Sequence, residues 1–245
     1  MGAQYDDIAE QYRHSTGAAL RTYVESFSLL GCVGDVRGKS VLDLACGEGF
    51  FTRRLIEAGA ARAVGVDISP AMIALAEQQE RDNPIGLDYV CADVQDLTGL
   101  GQFDVVVAAY LLHYAQSEAE LLRMCERIAA HLPPDGFFVT LNENPDQDAG
   151  QYAGYTQYGF NKTVEMPRGE GSEITYSMVS GREMFKFHAY YYRRETYERV
   201  MRAAGFRQLR WRSLELDPLG IEQFGAEYWR EYLDNPPVIV LEAWV

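Results

Sequence analysis

Apolar and polar positions follow two alternating periods along this chain, and that alternation sets the order of its elements. Val41-Leu42-Asp43-Leu44, Ala63-Val64-Gly65-Val66, Phe103-Asp104-Val105-Val106-Val107 and Phe137–Leu141 are apolar runs of strand length. The segments between them, Thr52–Ala58, Pro70–Asp82 and Glu118–His131, read as helices. Ser69-Pro70 is a helix start, with serine as N-cap and proline in the first turn. Strands alternating with helices over residues 40–142 predict a Rossmann-like α/β fold, a mostly parallel sheet with helices on both faces. In such a sheet ligands gather beyond the carboxyl ends of the strands. Asp67, Asp93 and Tyr110 all fall at such ends.

The flanks have a different texture. Gly17–Leu30 carries Leu20, Val24, Phe27 and Leu30 near a 3.6-residue period, so residues 1–38 are expected to form a helical cap. Residues 143–173 are rich in Asn, Asp, Gln, Gly and Pro and too long for an ordinary connection, which marks a lid or binding insertion. Ile174–Val179 and Met184–Tyr192 predict an antiparallel pair joined around Gly181. Glu195–Ala204 reads as a helix stopped by Gly205. Leu209–Leu216 and Val238–Val245 read as strands, and Ile221–Leu233 as a helix with Phe224, Tyr228 and Leu233 turned inward. One domain over 1–245 is expected, with a cap at 1–38, a ligand-binding core at 40–142, a substrate-binding insertion at 143–193 and completion of the sheet at 194–245.

Composition narrows the classes. With 245 residues, 47% of them apolar, the chain can bury a core and is not a disordered segment. Its net charge of −14 argues against a nucleic-acid substrate, which calls for basic stripes, and the longest basic run is Arg193-Arg194. Cys32, Cys46, Cys91 and Cys125 are dispersed without a Cys-x-x-Cys, so neither a zinc site nor a disulfide framework is expected. The longest apolar run, Val105–Leu112, is too short for a bilayer, and no basic-then-apolar leader opens the chain. A cytoplasmic protein with a small-molecule partner and no membrane follows.

Chemistry concentrates at Ser40-Val-Leu-Asp43-Leu-Ala45-Cys-Gly47-Glu-Gly49, where a strand feeds a glycine-bent turn. Bare backbone there can approach a ligand, and Asp67 offers an acceptor to a ribose diol. A dinucleotide fingerprint needs a third glycine, but Thr52 stands at that position. The acid at Asp43 disfavours a pyrophosphate and suits an ammonium or sulfonium.

The stretch resembles motif I of the class I S-adenosylmethionine-dependent methyltransferases, with Ala45 in place of the first glycine. The resemblance continues in order through Val64–Ser69, Cys91–Val94, Phe103–Tyr114 and Leu132–Leu141. It implies S-adenosylmethionine as cofactor and S-adenosylhomocysteine as product. Backbone at Ala45, Gly47 and Gly49 would meet the methionine moiety, with Asp43 supporting its ammonium or only bracing the loop. Asp67 would hold the ribose, Ile68 and Met72 would pack on adenine, and Asp93 and Val94 would read its edge. Tyr110 would close the site near the sulfur. Tyr5-Asp-Asp-Ile-Ala-Glu-Gln-Tyr12 is similar to an opening that folds over the cofactor in small-molecule relatives; Tyr5 and Tyr12 could equally staple the first helix.

For proton removal the candidates are His14, His113 and His188. His113 follows the fourth strand, close to the expected methyl, and could instead brace its loop by hydrogen bonding. His188 shares a strand face with Lys186 and Tyr190, toward a substrate. Tyr158 and the aromatic residues around it would suit a flat, moderately polar ring. Asn142–Pro145 and Tyr158-Gly-Phe160 also resemble the toxoflavin-pathway N-methyltransferase group. The expected activity is methyl transfer to O or N of a small aromatic or heteroaromatic metabolite in secondary metabolism. A cyclase using the sulfonium electrostatically and a non-catalytic binding partner are the alternatives.

Overall fold

In the computed structural model the described residues are 4–6, 8, 9, 19–180 and 183–245. A π-helical turn, Arg21–Glu25, leads into helix α1 (Ser26–Val33). Strand and helix then alternate as β1 (Ser40–Leu44), α2 (Phe50–Glu57), β2 (Arg62–Asp67), α3 (Pro70–Asp82), β3 (Asp88–Cys91), β4 (Val105–Ala109), α4 (Glu118–Ala130) and β5 (Phe137–Glu143). An insertion carries β6 (Phe160–Val164), β7 (Glu173–Ser180) and β8 (Glu183–Tyr190). The chain returns through α5 (Arg194–Ala203), β9 (Gln208–Arg212), α6 (Pro218–Phe224), α7 (Ala226–Asp234) and β10 (Val238–Trp244).

Seven strands form the main sheet in the order β3-β2-β1-β4-β5-β10-β9. The first five are parallel neighbours, while β10 runs antiparallel to both β5 and β9. The two strands expected near the C-terminus therefore pair as an antiparallel hairpin at the sheet edge, although β9 ends at Arg212 rather than Leu216. Successive strand residues point to opposite faces, so each face gathers its own core. Leu42, Val106, Phe138 and Leu241 pack with Leu121 of α4 and Met201 of α5. Val41, Val105 and Val139 pack with Leu29 of α1 and Leu55 of α2. From β1 the chain steps outward to β3 and then crosses back to β4, which parts the loops above β1 and β4 and opens a crevice there.

Two expectations about the C-terminal part change. The single helix over Ile221–Leu233 is two helices, broken at Gly225, whose φ of 79° is outside the helical region. The break turns Phe224 outward, 39% exposed, while Trp229 and Tyr232 are buried. The insertion is also more ordered than its polar composition suggested. β6 pairs antiparallel with β7, and β7 with β8, giving a three-stranded sheet. Tyr176 of β7 stacks on Phe187 of β8 at 4.8 Å, and Phe160 of β6 stacks on Tyr155 at 4.9 Å. This aromatic face closes onto Leu20, Val24, Trp229 and Tyr232 as a third core.

An ion pair fastens that insertion to the main sheet. Lys162 of β6 donates to Glu143 at the end of β5 and, at 2.5 Å, to Gln147 Oε1; Tyr176 also donates to Glu143. The Lys162 and Glu143 side chains are 0% and 1% exposed. Each ion needs the other, because a lone charge at this depth has neither water nor a counter-ion. Among the described residues no helix is long and apolar enough to cross a membrane. Lys162→Met, which strands the Glu143 carboxylate, is expected to destabilise the fold by about 3–5 kcal/mol. Equilibrium urea unfolding checks this, and a loss below about 1 kcal/mol would show that the pair does not fasten the insertion.

Candidate active site

The crevice above β1 and β4 is a cavity of about 340 Å³. From β1 it receives the backbone of Ala45 and Gly47, and from the end of β2 it receives Asp67, Ile68 and, one turn into α3, Met72. Asp93 and Val94 reach it beyond β3, and Tyr110 beyond β4. Tyr5 from the N-terminal segment and His188 and Tyr190 from β8 complete the opposite wall.

The turn after β1 is bent by successive left-handed residues, Ala45 (φ 55°), Gly47 (φ 56°) and Gly49 (φ 84°). Gly47 has open space where a side chain would stand, so a ligand can meet its backbone directly. Gly49 does not line the cavity; a Cβ there would collide with the Tyr89 hydroxyl, so its role is packing beneath the turn. Asp43 also lies below the cavity floor. Its Oδ2 accepts from Thr52 Oγ1 at 2.6 Å, its Oδ1 is buried without a hydrogen-bond partner among the described residues, and burial pushes its pKa up to about 7. Of the two readings left open for Asp43, the hydrogen bond to Thr52 matches the loop brace.

Asp67 joins two loops. Its Oδ2 accepts from the Gly47 N–H and its Oδ1 from the Ser69 N–H, both at 2.9 Å. Burial raises its pKa, while the Ser69 and Gly47 donors pull it down. Ser69 caps α3 by accepting from the Met72 N–H at 3.2 Å. Ile68 is 38% exposed on the cavity wall beside buried Met72 and Val94, an apolar strip suited to a flat base. Asp93 caps the turn Val94–Asp96 through the Gln95 N–H at 2.8 Å.

Tyr110 holds φ at 67°, a conformation that costs a bulky residue on the order of 1–3 kcal/mol. Its N–H donates to the Leu141 carbonyl at 2.8 Å, which fixes the turn. Across the cavity mouth, Gln4 pairs with the backbone of His188 in both directions, at 3.1 and 3.0 Å. Tyr5 and Tyr114 share a hydrogen bond between their hydroxyls, and Asp6 Oδ1 accepts from Ser69 Oγ at 2.5 Å. Gln4, Tyr114 and Glu120, which also line the cavity, had no sequence signal beyond their neighbourhood. Tyr12 and His14 lie outside the described residues.

The histidines separate. His188 faces the cavity, with its Nδ1 at 3.1 Å from Glu173 Oε1 and 3.3 Å from Thr175 Oγ1. His113 is 1% exposed, with its Nδ1 at 2.9 Å from Asn142 Oδ1 and 3.2 Å from the Glu143 nitrogen. Burial lowers its pKa to about 3, against the Asn142 hydrogen bond and together with the Lys162 charge. So weak a base does not fit the proton-removing role considered for it; it braces the loop between β4 and α4. Tyr158 is absent from the main cavity wall and lies instead on a smaller adjoining cavity, its hydroxyl donating to the Tyr228 carbonyl at 2.6 Å.

Comparison with known proteins shows what this chain is similar to. Residues 41–136 match the family described as a methyltransferase domain. N-demethylindolmycin N-methyltransferase of Streptomyces griseus is 26% identical over 209 residues, covering 83% of this chain and 86% of that protein. The ubiquinone biosynthesis O-methyltransferase of Bradyrhizobium diazoefficiens is 33% identical, over 52% of this chain and 48% of its own length, so the chain spans about half of that relative. Among solved structures, an S-adenosylmethionine-dependent methyltransferase from Mesorhizobium loti superposes with a TM-score of 0.65 at 21% identity, covering 94% of this chain and 100% of that one. A DhpI–SAM–HEP complex superposes at 0.64 and 18% identity, over 98% and 94%. The two structural likenesses establish the fold.

His113 gives stability a defined pH dependence. Its pKa falls from the ordinary 6.5 to about 3 on folding, so the unfolded chain binds the proton more tightly. The stability it contributes is complete above pH 6.5 and is lost as pH falls toward 3, at about 1.4 kcal/mol per pH unit. Asp43 acts oppositely, its contribution being lost as pH rises from 3.8 to about 7, so wild type alone hides the slope. Urea unfolding of wild type and His113→Gln at pH 7, 6 and 5 isolates it. The wild-type advantage is expected to shrink with each step, and a constant difference would contradict the buried neutral imidazole.

Proposed function

We propose that the chain is a class I S-adenosylmethionine-dependent methyltransferase and that it methylates an O or N atom of a small, ring-bearing metabolite. The observation that carries the proposal is the 340 Å³ cavity at the strand ends, with an aromatic wall opposite its acidic and glycine-bent one. Its volume lies within the roughly 300–1,000 Å³ typical of small-molecule sites. The named relatives act on small molecules by their descriptions, one at nitrogen and one at oxygen, which supports the acceptor class and leaves both atoms open.

The residues present fit the cofactor. Asp67 already holds two backbone donors, one on each oxygen, and each oxygen has a further lone pair for a ribose hydroxyl. Ile68, Met72 and Val94 offer an apolar strip to adenine, with Asp93 at its edge. Gly47 presents bare backbone to the methionine end. When bound, S-adenosylmethionine supplies a methyl group already activated by a positively charged sulfur. What remains for the protein is orientation, which can contribute up to ~7–11 kcal/mol, and exclusion of water. Tyr110, fixed by its backbone turn, and the joined Tyr5–Tyr114 pair serve both ends. His188 stands on the acceptor side of the cavity, within reach of Glu173, as the imidazole able to accept a proton there.

Isothermal calorimetry with S-adenosylmethionine and S-adenosylhomocysteine tests the reading directly; absence of binding by either would end it. Asp67→Ala is expected to weaken S-adenosylhomocysteine binding by about 1–3 kcal/mol by stranding the ribose hydroxyls. Unchanged affinity in that variant would remove Asp67 from the site.

A further inference from the structure

A second cavity, of about 80 Å³, lies behind Tyr110 and Tyr114, which line both spaces. Its walls are aromatic, including Tyr158, Phe160, Tyr176 and Phe187, and its polar end is formed by Glu25 and Arg21 from the π-helical turn. The volume is about half of the ~150 Å³ that holds benzene in an engineered apolar cavity, so it admits the end of a molecule rather than a ring.

Among the described residues the charges around it do not balance. Glu25 is 9% exposed and accepts from the Tyr232 hydroxyl at 3.0 Å, with a further hydrogen bond from Tyr110. Arg21 is committed to Glu48 at 3.0 Å and lies 4.0 Å over the Phe50 ring. Glu48 Oε2 is buried and has no hydrogen-bond partner among the described residues. Among the described residues one guanidinium thus serves two buried carboxylates, and the remaining faces carry the rings of Tyr110, Tyr114, Tyr158, Tyr176 and Tyr232 and the neutral His113. A carboxylate at the end of an aromatic cage is a receptor for an ammonium group, which gains ion pairing from the first and cation–π attraction from the second.

We propose that this cavity takes the ammonium end of a ring-bearing amine, and that Glu25 binds it and removes the proton that must leave before nitrogen can attack. The proposal rests on the methyltransferase reading above and deepens it by choosing nitrogen. The proton passes from R–NH₃⁺ to the Glu25 carboxylate, leaving a neutral amine and a carboxylic acid. The nitrogen lone pair then forms the N–C bond as the C–S bond breaks with its electron pair going to sulfur, and the product leaves as a methylammonium ion. Burial raises the proton affinity of Glu25, against the Tyr110 and Tyr232 hydrogen bonds and the Arg21 charge, which narrows its gap to an amine. Tyr110 stands between the two cavities and so couples the base to the place of transfer.

The test uses the full chain loaded with S-adenosylhomocysteine, with phenethylamine and its neutral counterpart 2-phenylethanol as calorimetric probes. Wild type is expected to prefer the amine at least tenfold at pH 8, the preference declining toward pH 5 as Glu25 takes up its proton. Glu25→Gln is expected to bring the two probes within twofold while S-adenosylhomocysteine affinity and thermal midpoint hold. Should that variant fail to fold, the wild-type pH profile decides alone. Equal binding of the probes, binding of neither, or a preference that survives in Glu25→Gln or is flat with pH would overturn the proposal. Failure of S-adenosylhomocysteine itself to bind wild type is a separate result, which removes the parent reading and this inference with it.

Discussion

The carboxylate of Asp67 is the constraint on which the rest of the cleft depends. Two loops leave the sheet at neighbouring strand ends, and each would otherwise present unsatisfied backbone N–H groups to the crevice. By accepting from Gly47 with one oxygen and Ser69 with the other, Asp67 fixes both loops relative to the sheet before any ligand arrives. Buried charge-assisted hydrogen bonds of this kind contribute roughly 1.5–3 kcal/mol each, enough to offset the strain of Ala45 in a left-handed conformation. Preorganisation follows, because the bent backbone, the N-terminus of α3 and the apolar strip are held in one geometry by a single residue.

A second fastening acts at the opposite wall. β5 ends in Asn142 and Glu143, and each reaches outside the sheet. Asn142 accepts from the His113 backbone N–H at 3.1 Å and lies against its imidazole, setting the loop that carries Tyr114. Glu143 receives Lys162 and Tyr176, setting the insertion. Two adjacent residues therefore fix the loop above β4 and the three-stranded sheet facing it. The aromatic surfaces that meet across the second cavity owe their spacing to this pair of anchors.

The centre of the main sheet was legible in the sequence because β1, β2, β4 and β5 are buried on both faces and read as apolar runs. Asp67 and Tyr110 could be placed at strand ends for the same reason. The insertion was harder. β6 turns Phe160 and Lys162 inward, and a lysine at a buried position breaks the alternation by which a strand is found. Its partner Glu143 is distant enough in sequence that no local pattern joins them. The two readings of His113 stayed open for the same kind of reason, since proximity to the fourth strand is local but its burial against Asn142 is tertiary. Glu25 carried no motif in the sequence, and its inward direction follows from Tyr232, brought across by α7. The glycine at 225 was visible, but a helix can tolerate a glycine, so the break needed the fold to show it.

The N-terminal segment closes the cavity by three consecutive residues that each hold a different element. Gln4 borrows the hydrogen-bonding edge of β8, Tyr5 meets Tyr114, and Asp6 meets Ser69 at the start of α3. Five hydrogen bonds across the mouth contribute roughly 2.5–7.5 kcal/mol, taking 0.5–1.5 for each. Ordering three backbone residues costs roughly 3–6 kcal/mol. The two nearly cancel, so the closed arrangement has little stability of its own. Any molecule that fills the cavity and touches Tyr5 adds contacts to the closed side alone, and by linkage the segment then holds it in return. A mouth built from side chains that pair with three separate elements can thus close over an occupant without being locked against its entry.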